Sequence, residues 1–247
     1  MASSDALRTA IERAYTAFAD VPRPTSIDAS PVHEAGAIFS ALTAVPLRQL
    51  TAEHIVDYAS SALTTIGIED DYRHFLPRLL ELAVRDASAF GTEPQVIAHK
   101  LVYGEWTSWA PAERDAVTCL FGAAMDAAIE WPPYHRHNAE DWLCGLARLG
   151  IAPDPWLARW RTAALPNAGA QLAHLVTGII HLDGSMFTAY WEEVSPEIKT
   201  VIADWLFDPA TRDQLIAARP LIEPDDDWDI ELALRALGHG ERQATRH

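Results

Sequence analysis

Residues 111–130 read PAERDAVTCLFGAAMDAAIE, and the spacing of their apolar side chains indicates one amphipathic α-helix. An α-helix makes a turn about every 3.6 residues, so apolar residues three and four positions apart lie on one side of it. Pro111 and Glu113 favour a helix start here, because a first-turn proline loses no hydrogen bond and an acid faces the positive end of the helix dipole. The apolar positions that follow this pattern are Val117, Leu120, Phe121, Ala124, Met125, Ala128 and Ile129.

The same spacing recurs on both sides of this stretch, whereas no run of alternating β-branched residues is visible. Further amphipathic stretches begin at Leu7, Ile55, Leu172, Ile198 and Ile230. We therefore predict an all-α protein of about ten or eleven helices. Its architecture is either a multi-helix bundle or an irregular HEAT-like stack of antiparallel helices.

A break near the middle of the chain, residues 130–138, reads EWPPYHRHN. It contains no glycine or serine and carries bulky aromatic residues, which is typical of an ordered junction rather than of a flexible linker. We expect two helical halves, residues 1–130 and 131–247, packed as one unit.

The excess of acidic residues makes some classes of binding partner improbable. The 247 residues include 19 Lys and Arg against 35 Asp and Glu, a formal net charge of −16. Nucleic acids and anionic membranes are recognised by clustered Lys and Arg, so neither is an expected partner. Residues 162–182 lack charged side chains, but their polar residues and one-sided apolar stripe predict a buried helix rather than a membrane span.

Two features predict a cytoplasmic protein. Cys119 and Cys144 are the only cysteines, which is too few for a disulfide framework. The first residues, MASSD, show neither the basic leader nor the apolar core of a secretory signal.

Residues 58–82 read YASSALTTIGIEDDYRHFLPRLLEL, and this stretch resembles an uncharacterised bacterial family of all-helical proteins. The resemblance covers roughly residues 47–129. Beyond the quoted stretch it rests on three short matches: Lys100-Leu101, Trp106-x-x-Trp109 and residues 112–117. It implies a bacterial helical protein, supplies no activity and transfers no catalytic residue. Similar proteins often carry a cysteine-containing motif after the first helix, whereas residues 23–31 of this chain contain no cysteine.

The mid-chain break offers the first candidate site. His135 and His137 lie two residues apart, and Glu140 and Asp141 stand at the start of the predicted helix that follows. Imidazole and carboxylate groups are common metal ligands, so these four residues form a candidate metal site. The alternative is a polar junction whose histidines are solvated or cap the helix.

A second pair of histidines, His174 and His181, lies seven residues apart, which places both on one face of a predicted helix. Two helical turns separate them by about 10.5 Å, too far for both to bind one ion directly. We expect them to line a polar groove with Asp183 or to face water, and we retain them as metal candidates.

An acidic cluster precedes an apolar helix near residue 71. Asp70, Asp71 and His74 are the candidate catalytic residues, and Asp70 can reach His74 one turn later. Acids in the first turn of a helix also interact favourably with the helix dipole. Helix stabilisation alone would therefore explain why these acids stand here.

Acidic residues are densest near the C-terminus, where they surround Trp228. One interpretation is a solvated acidic turn that caps the final helix. The other is a docking surface for a basic protein, toward which the net charge would steer the partner. The candidate binding residues are Trp228, Asp225, Asp226, Asp227 and Asp229.

Several catalytic motifs are missing: the glycine-rich phosphate loop, the Gly-x-Ser-x-Gly elbow and the His-Glu-x-x-His helix. Composition and fold class favour a non-enzymatic protein-interaction module, with an acidic immunity-type inhibitor of a basic bacterial toxin as the specific hypothesis. No cofactor is expected. The alternatives are a metal-dependent enzyme with its site at the mid-chain histidines and acids, and a helical bundle that binds a small molecule in a Trp-lined cleft.

Overall fold

The computed structural model describes residues 2–86, 88–133, 137–181, 185–187, 189–222 and 227–244. Within these ranges the chain forms twelve α-helices and four short 3₁₀ turns, and it contains no β-strand. The predicted all-α class is confirmed, and the helices pack against one another as in a multi-helix bundle. The helix count is slightly higher than predicted.

The first six helices are α1 (Ala2–Ala17), α2 (Ala35–Thr43), α3 (Ala52–Ala59), α4 (Glu69–Arg85), α5 (Pro94–Tyr103) and α6 (Pro111–Glu130). The last six are α7 (Ala139–Arg148), α8 (Asp154–Thr162), α9 (Asn167–Ile179), α10 (Pro196–Phe207), α11 (Pro209–Ala218) and α12 (Asp227–Ala244). The 3₁₀ turns are Leu47–Gln49, Trp106–Ser108, Ala189–Trp191 and Arg219–Leu221.

The chain divides into two compact units, Met1–Ala124 and Met125–His247, and the division falls within α6. Each unit has its own buried apolar side chains, such as Phe75 in the first and Trp160 in the second. The predicted boundary after residue 130, and the packing of the two halves as one unit, stay predictions.

Helix α4 supplies much of the core of the first unit. Tyr72, Phe75, Leu76, Leu79 and Leu80 are each at most 2% exposed. The helix packs against α1, α5 and the first 3₁₀ turn. Polar side chains on the buried faces of α4 therefore have to find partners on those elements.

Glu81 of α4 is the buried acid that joins these elements. Its Oε2 accepts hydrogen bonds from the Tyr15 hydroxyl at 2.7 Å and from Arg78 Nη1 at 2.6 Å, and its Oε1 lies 3.0 Å from Arg85 Nε. Arg78 Nε also donates to the carbonyl oxygen of Leu50 at 2.7 Å. Burial and the hydrogen bond to Glu81 raise the pKa of Tyr15, so the phenol remains a donor.

Glu81→Gln is expected to lower the free energy of unfolding by about 2 kcal/mol, because the largely buried Arg78 loses its carboxylate. Glu12→Gln is the matched control. Glu12 accepts two hydrogen bonds of 2.7 Å from Arg48, but its side chain is 57% exposed and water screens the pair. Urea unfolding followed by circular dichroism measures both variants. Equal losses in the two would contradict a special role for the buried acid.

Helix α9 is the centre of the second unit, where it packs against α7, α11 and α12. Leu172, Leu175, Val176 and Ile179 are fully buried. The uncharged stretch 162–182 therefore contains a buried helix, as predicted. None of the helices in the described ranges is long and apolar enough to cross a membrane.

Candidate functional site

The start of α7 is held in place by side chains from two elements. Asn138 and Asp141 cap it reciprocally, since the side-chain oxygen of each accepts a hydrogen bond of 3.0 Å from the backbone N–H of the other. The buried Gln171 of α9 accepts from the backbone N–H of Ala139 at 2.9 Å and donates to the carbonyl oxygen of Trp131 at 3.0 Å. Gln171 thereby fixes the mid-chain break against α9, a role that the sequence did not indicate.

This arrangement brings mid-chain residues close to residues of α9 and α12. His137 Nδ1 lies 3.8 Å from Asp141 Oδ2, and His174 Nε2 lies 3.7 Å from Asp229 Oδ2. Burial lowers the pKa of His174, and the charges of Asp229 and Asp141 partly oppose that shift. The carboxylates of Asp229 and Asp141 are therefore both close enough to interact electrostatically with His174. We call these four residues the His174 cluster.

The His174 cluster is not arranged as a metal site. In the part of the chain that the structure describes, no group of three or more His, Cys, Asp or Glu side chains could hold a metal ion. Asp141 is engaged in capping α7. His135 and Asp183 lie outside the described residues. The metal-site hypothesis for His135 and its neighbours stays a prediction.

His181 does not share a helix face with His174, and that prediction is wrong. Helix α9 ends at Ile179. The backbone is already extended at Ile180, and the backbone N–H of His181 donates to the carbonyl oxygen of Ser185 at 2.9 Å. The uncharged stretch continues beyond the last residue of α9. The spacing of apolar residues therefore did not show where the helix ends.

Glu140 is a half-buried acid of α7. Its carboxylate packs against Gly178 of α9, where a Cβ would overlap it, and its Oε1 accepts a hydrogen bond of 3.2 Å from Trp191 Nε1. Burial raises the pKa of Glu140 to about 7, although the hydrogen bond from Trp191 opposes the shift. Burial also raises the pKa of Cys144, one turn later, so its thiol is not a candidate nucleophile.

Glu140→Gln is expected to stabilise the protein at high pH. Glutamate has an ordinary pKa of 4.5, whereas Glu140 has a pKa of about 7 in the folded chain, so the folded state binds this proton more tightly. The resulting contribution to stability is complete below about pH 4.5 and is lost as the pH rises through about 7. The neutral amide should therefore change little near pH 4.5 and should add about 2–3 kcal/mol at about pH 8.

Urea unfolding at the two pH values measures this difference. Glu192→Gln removes an exposed acid of the same unit and is the control. If Glu140→Gln changed the stability equally at both pH values, Glu140 would not titrate near neutrality.

The three candidate catalytic residues of α4 have separate structural partners. Asp70 Oδ1 accepts a hydrogen bond of 2.9 Å from Arg73 Nη1 instead of pairing with His74. Asp71 caps α4 by accepting a hydrogen bond of 2.9 Å from the backbone N–H three residues before it. His74 Nδ1 lies 3.4 Å from the carbonyl oxygen of Val21, and burial lowers the pKa of His74. These contacts match the structural explanation of the acidic cluster.

A concave site that the sequence did not indicate lies beside this cluster. Arg73 Nη2 donates to Glu113 Oε1 at 2.7 Å, and Glu113 Oε2 accepts from the backbone N–H of Ala110 at 3.2 Å. The guanidinium carbon of Arg73 is 5.6 Å from the ring centroid of Trp109. Burial by itself would lower the pKa of Arg73. The hydrogen bond from Arg73 to Glu113 and the neighbouring acids outweigh burial, so the pKa is raised.

Arg73, Ala110 and Glu113 border a cavity of about 280 Å³, which we call the Arg73 pocket. It is lined by the loop after α1 (Asp20, Val21 and Pro22) and by Arg73, Ala110 and Glu113. Arg73 and Glu113 are 40 residues apart in the sequence, and each by itself looks like an ordinary residue near the start of a helix. The pair becomes visible only in the tertiary structure.

Trp228 is the exposed tryptophan of this protein. All nine tryptophans lie in the described ranges, and the other eight are buried or half-buried, whereas Trp228 is 68% exposed. It follows Asp227 in the first turn of α12. Asp229 turns inward, with a side chain that is 18% exposed beside His174. Asp225 and Asp226, which were predicted for the same surface, lie outside the described residues.

The fold and the candidate sites define an acidic, all-helical protein with a polar cluster in one unit and a small pocket in the other. No protein-family model, curated protein or solved structure matches this chain. The function is therefore inferred from its own residues.

Proposed function

We propose that this protein binds a basic protein through an acidic surface centred on Trp228, and that it acts as a stoichiometric inhibitor rather than as an enzyme. The observation that carries the proposal is the exposure of Trp228, which lies in the most acidic stretch of the sequence. A large aromatic side chain that is left in water is typical of an interface anchor, because its burial by a partner contributes much apolar area and one hydrogen bond.

The charge of both units supports a basic partner. Residues 1–124 contain nine Lys and Arg against sixteen Asp and Glu, and residues 125–247 contain ten against nineteen. The acidic excess is therefore a property of the whole chain, and its field would steer a cationic protein and accelerate association. An immunity-type inhibitor of a basic bacterial toxin is the specific role that we propose for such a chain.

The state of the candidate catalytic residues also supports binding rather than catalysis. An active site requires ionisable groups that converge on a cavity. Asp71 and Asp141 are engaged in helix caps, and Asp70 is engaged by Arg73. These three acids therefore have structural roles that require no substrate.

Trp228→Ala is expected to weaken the complex with the purified partner by about 30-fold or more, because a central aromatic anchor contributes at least about 2 kcal/mol. The partner is first captured from the source cell with tagged protein, and its affinity is then measured by isothermal titration calorimetry. Tyr190→Ala is the matched control, since Tyr190 is also an exposed aromatic residue of the second unit. Equal weakening by the two substitutions would contradict the proposal.

The triple substitution Asp225→Asn, Asp226→Asn and Asp227→Asn tests the acidic part of the surface. We expect about tenfold weaker binding and a smaller dependence of the affinity on salt. The control removes three exposed acids elsewhere in the same unit, with Glu197→Gln, Asp204→Asn and Asp213→Asn. If the control triple weakened binding as much, the partner would respond to net charge alone and the proposed surface would be wrong.

Elemental analysis separates this proposal from a metal-dependent enzyme. We expect no stoichiometric metal in the purified protein, because the described candidate ligands are arranged as caps and ion pairs. A stoichiometric metal that is lost in His137→Ala and retained in the control His54→Ala would replace the binding proposal with the enzymatic one.

A further inference from the structure

The second unit exposes a group of apolar side chains where α11 is followed by α12. Within the described ranges this unit has four large apolar residues that are more than half exposed, and three of them belong to α11, to the 3₁₀ turn after it or to α12. These three are Ile216, Leu221 and Trp228, which are 51%, 56% and 68% exposed. Single apolar residues are common on protein surfaces, whereas a group of them on neighbouring elements is typical of a binding surface.

The elements that carry these side chains are held in place. Ala218, the last residue of α11, packs so closely against Gly169 of α9 that a Cβ on Gly169 would overlap it. Helix α12 packs against both α9 and α11, and its Ile230 is fully buried. Arg219 Nη2 lies 3.8 Å from Glu231 Oε2, which joins the 3₁₀ turn to the second turn of α12. The exposed apolar side chains are therefore presented by fixed elements.

Smaller apolar residues extend this group. Ala217 and Pro220 are also exposed, and they lie next to Ile216 and Leu221 in the sequence. We call Ile216, Ala217, Pro220, Leu221 and Trp228 the corner surface. A partner that covers it removes apolar area from water, which is the main favourable contribution to most protein associations.

Acidic residues accompany the corner surface in the sequence. Residues 222–227, which join its two parts, contain four acids and no Lys, Arg or His. The cations nearest in the sequence are Arg219 and Arg235, and both pair with the same acid, Glu231. The chain therefore tethers an excess of negative charge to an apolar surface.

This charge decides between the occupants that an exposed apolar surface can have. A second copy of the chain would bring like charges together, and an anionic lipid surface would be repelled in the same way. A neutral apolar segment would leave the acids without a counter-charge. A basic amphipathic segment meets both requirements, because its apolar side chains cover the surface and its Lys or Arg side chains lie beside the acids.

We propose that the corner surface binds a basic amphipathic segment of the protein partner, with apolar side chains against Leu221 and Trp228 and Lys or Arg side chains toward the acids of residues 222–227. This inference rests on the proposed function, since it takes the partner to be a basic protein. It adds apolar contacts from α11 and the 3₁₀ turn to the anchor Trp228. All of these contacts lie in the second unit.

The test uses an amidated peptide of two copies of Leu-Lys-Lys-Leu-Leu-Lys-Leu, whose leucines lie on one face of a helix and whose lysines lie on the other. We expect a saturable shift of the Trp228 Nε1–H resonance in the ¹⁵N-labelled full-length protein, with assignment from Trp228→Phe. The same peptide with glutamate in place of lysine keeps the apolar face and is expected to bind at least about tenfold more weakly. Absence of a saturable shift with the basic peptide, or equal binding of the two peptides, would overturn the proposal.

Ile216→Ala combined with Leu221→Ala supplies the matched change on the protein. The pair removes exposed apolar area without changing the charge, and we expect it to weaken binding of the basic peptide about tenfold. The control pair is Phe90→Ala with Val102→Ala, since these are comparably exposed apolar residues of the first unit. Urea unfolding checks that both variants remain folded. No weakening by the first pair, or equal weakening by the two pairs, would contradict the proposal.

The purified partner separates this inference from the proposed function. The pair Ile216→Ala and Leu221→Ala should weaken the complex with the partner about tenfold, as it weakens binding of the peptide. If Trp228→Ala weakened the complex and the pair did not, the amphipathic contact would be wrong and the proposed function would stand. If neither variant changed the affinity, the proposed function would fail together with this inference.

Discussion

A carboxylate can be buried in a helical core only if a cation or a hydrogen-bond donor replaces the water that it loses, and this constraint organises both units. Glu81 and Glu113 meet it with arginines, which join α4 to its neighbours. Asp71 meets it with a backbone N–H at the start of α4. Glu140 receives an indole N–H instead of an arginine, and its burial raises the pKa to about 7. The same requirement therefore produces ion pairs in one unit and a titrating acid in the other.

The pairing of arginines with buried acids also affects the charge of the surface. Arg73 and Arg78 are engaged by the buried acids Glu113 and Glu81 of their own unit. The net charge of −16 then falls largely on the surface, where it can act on a cationic partner. The exposed Trp228 is one place where that charge is combined with a large apolar side chain.

Local sequence signals predicted the fold well and the sites only in part. The apolar spacing after Pro111 and the absence of charge around α9 are properties of single helices, so the all-α class could be predicted from them. The acids Asp70 and Asp71 were correctly attributed to a helix start. The helical spacing assumed for His181 was wrong, because it depended on where α9 ends. The partnership of Arg73 with Glu113 was not predictable, since nothing local to either residue indicates the other.

Two acid–tryptophan pairs show what the sequence by itself determined and what the tertiary structure decided. Asp141-Trp142 and Asp227-Trp228 both lie in the first turn of a helix, and both could be identified as helix starts from the sequence. Trp142 is fully buried and Trp228 is 68% exposed. Helix periodicity, capping and net charge are encoded in neighbouring residues, so the sequence determines them. The burial of a side chain depends on which distant helix packs over it, so only the tertiary structure separates a core tryptophan from a candidate binding residue.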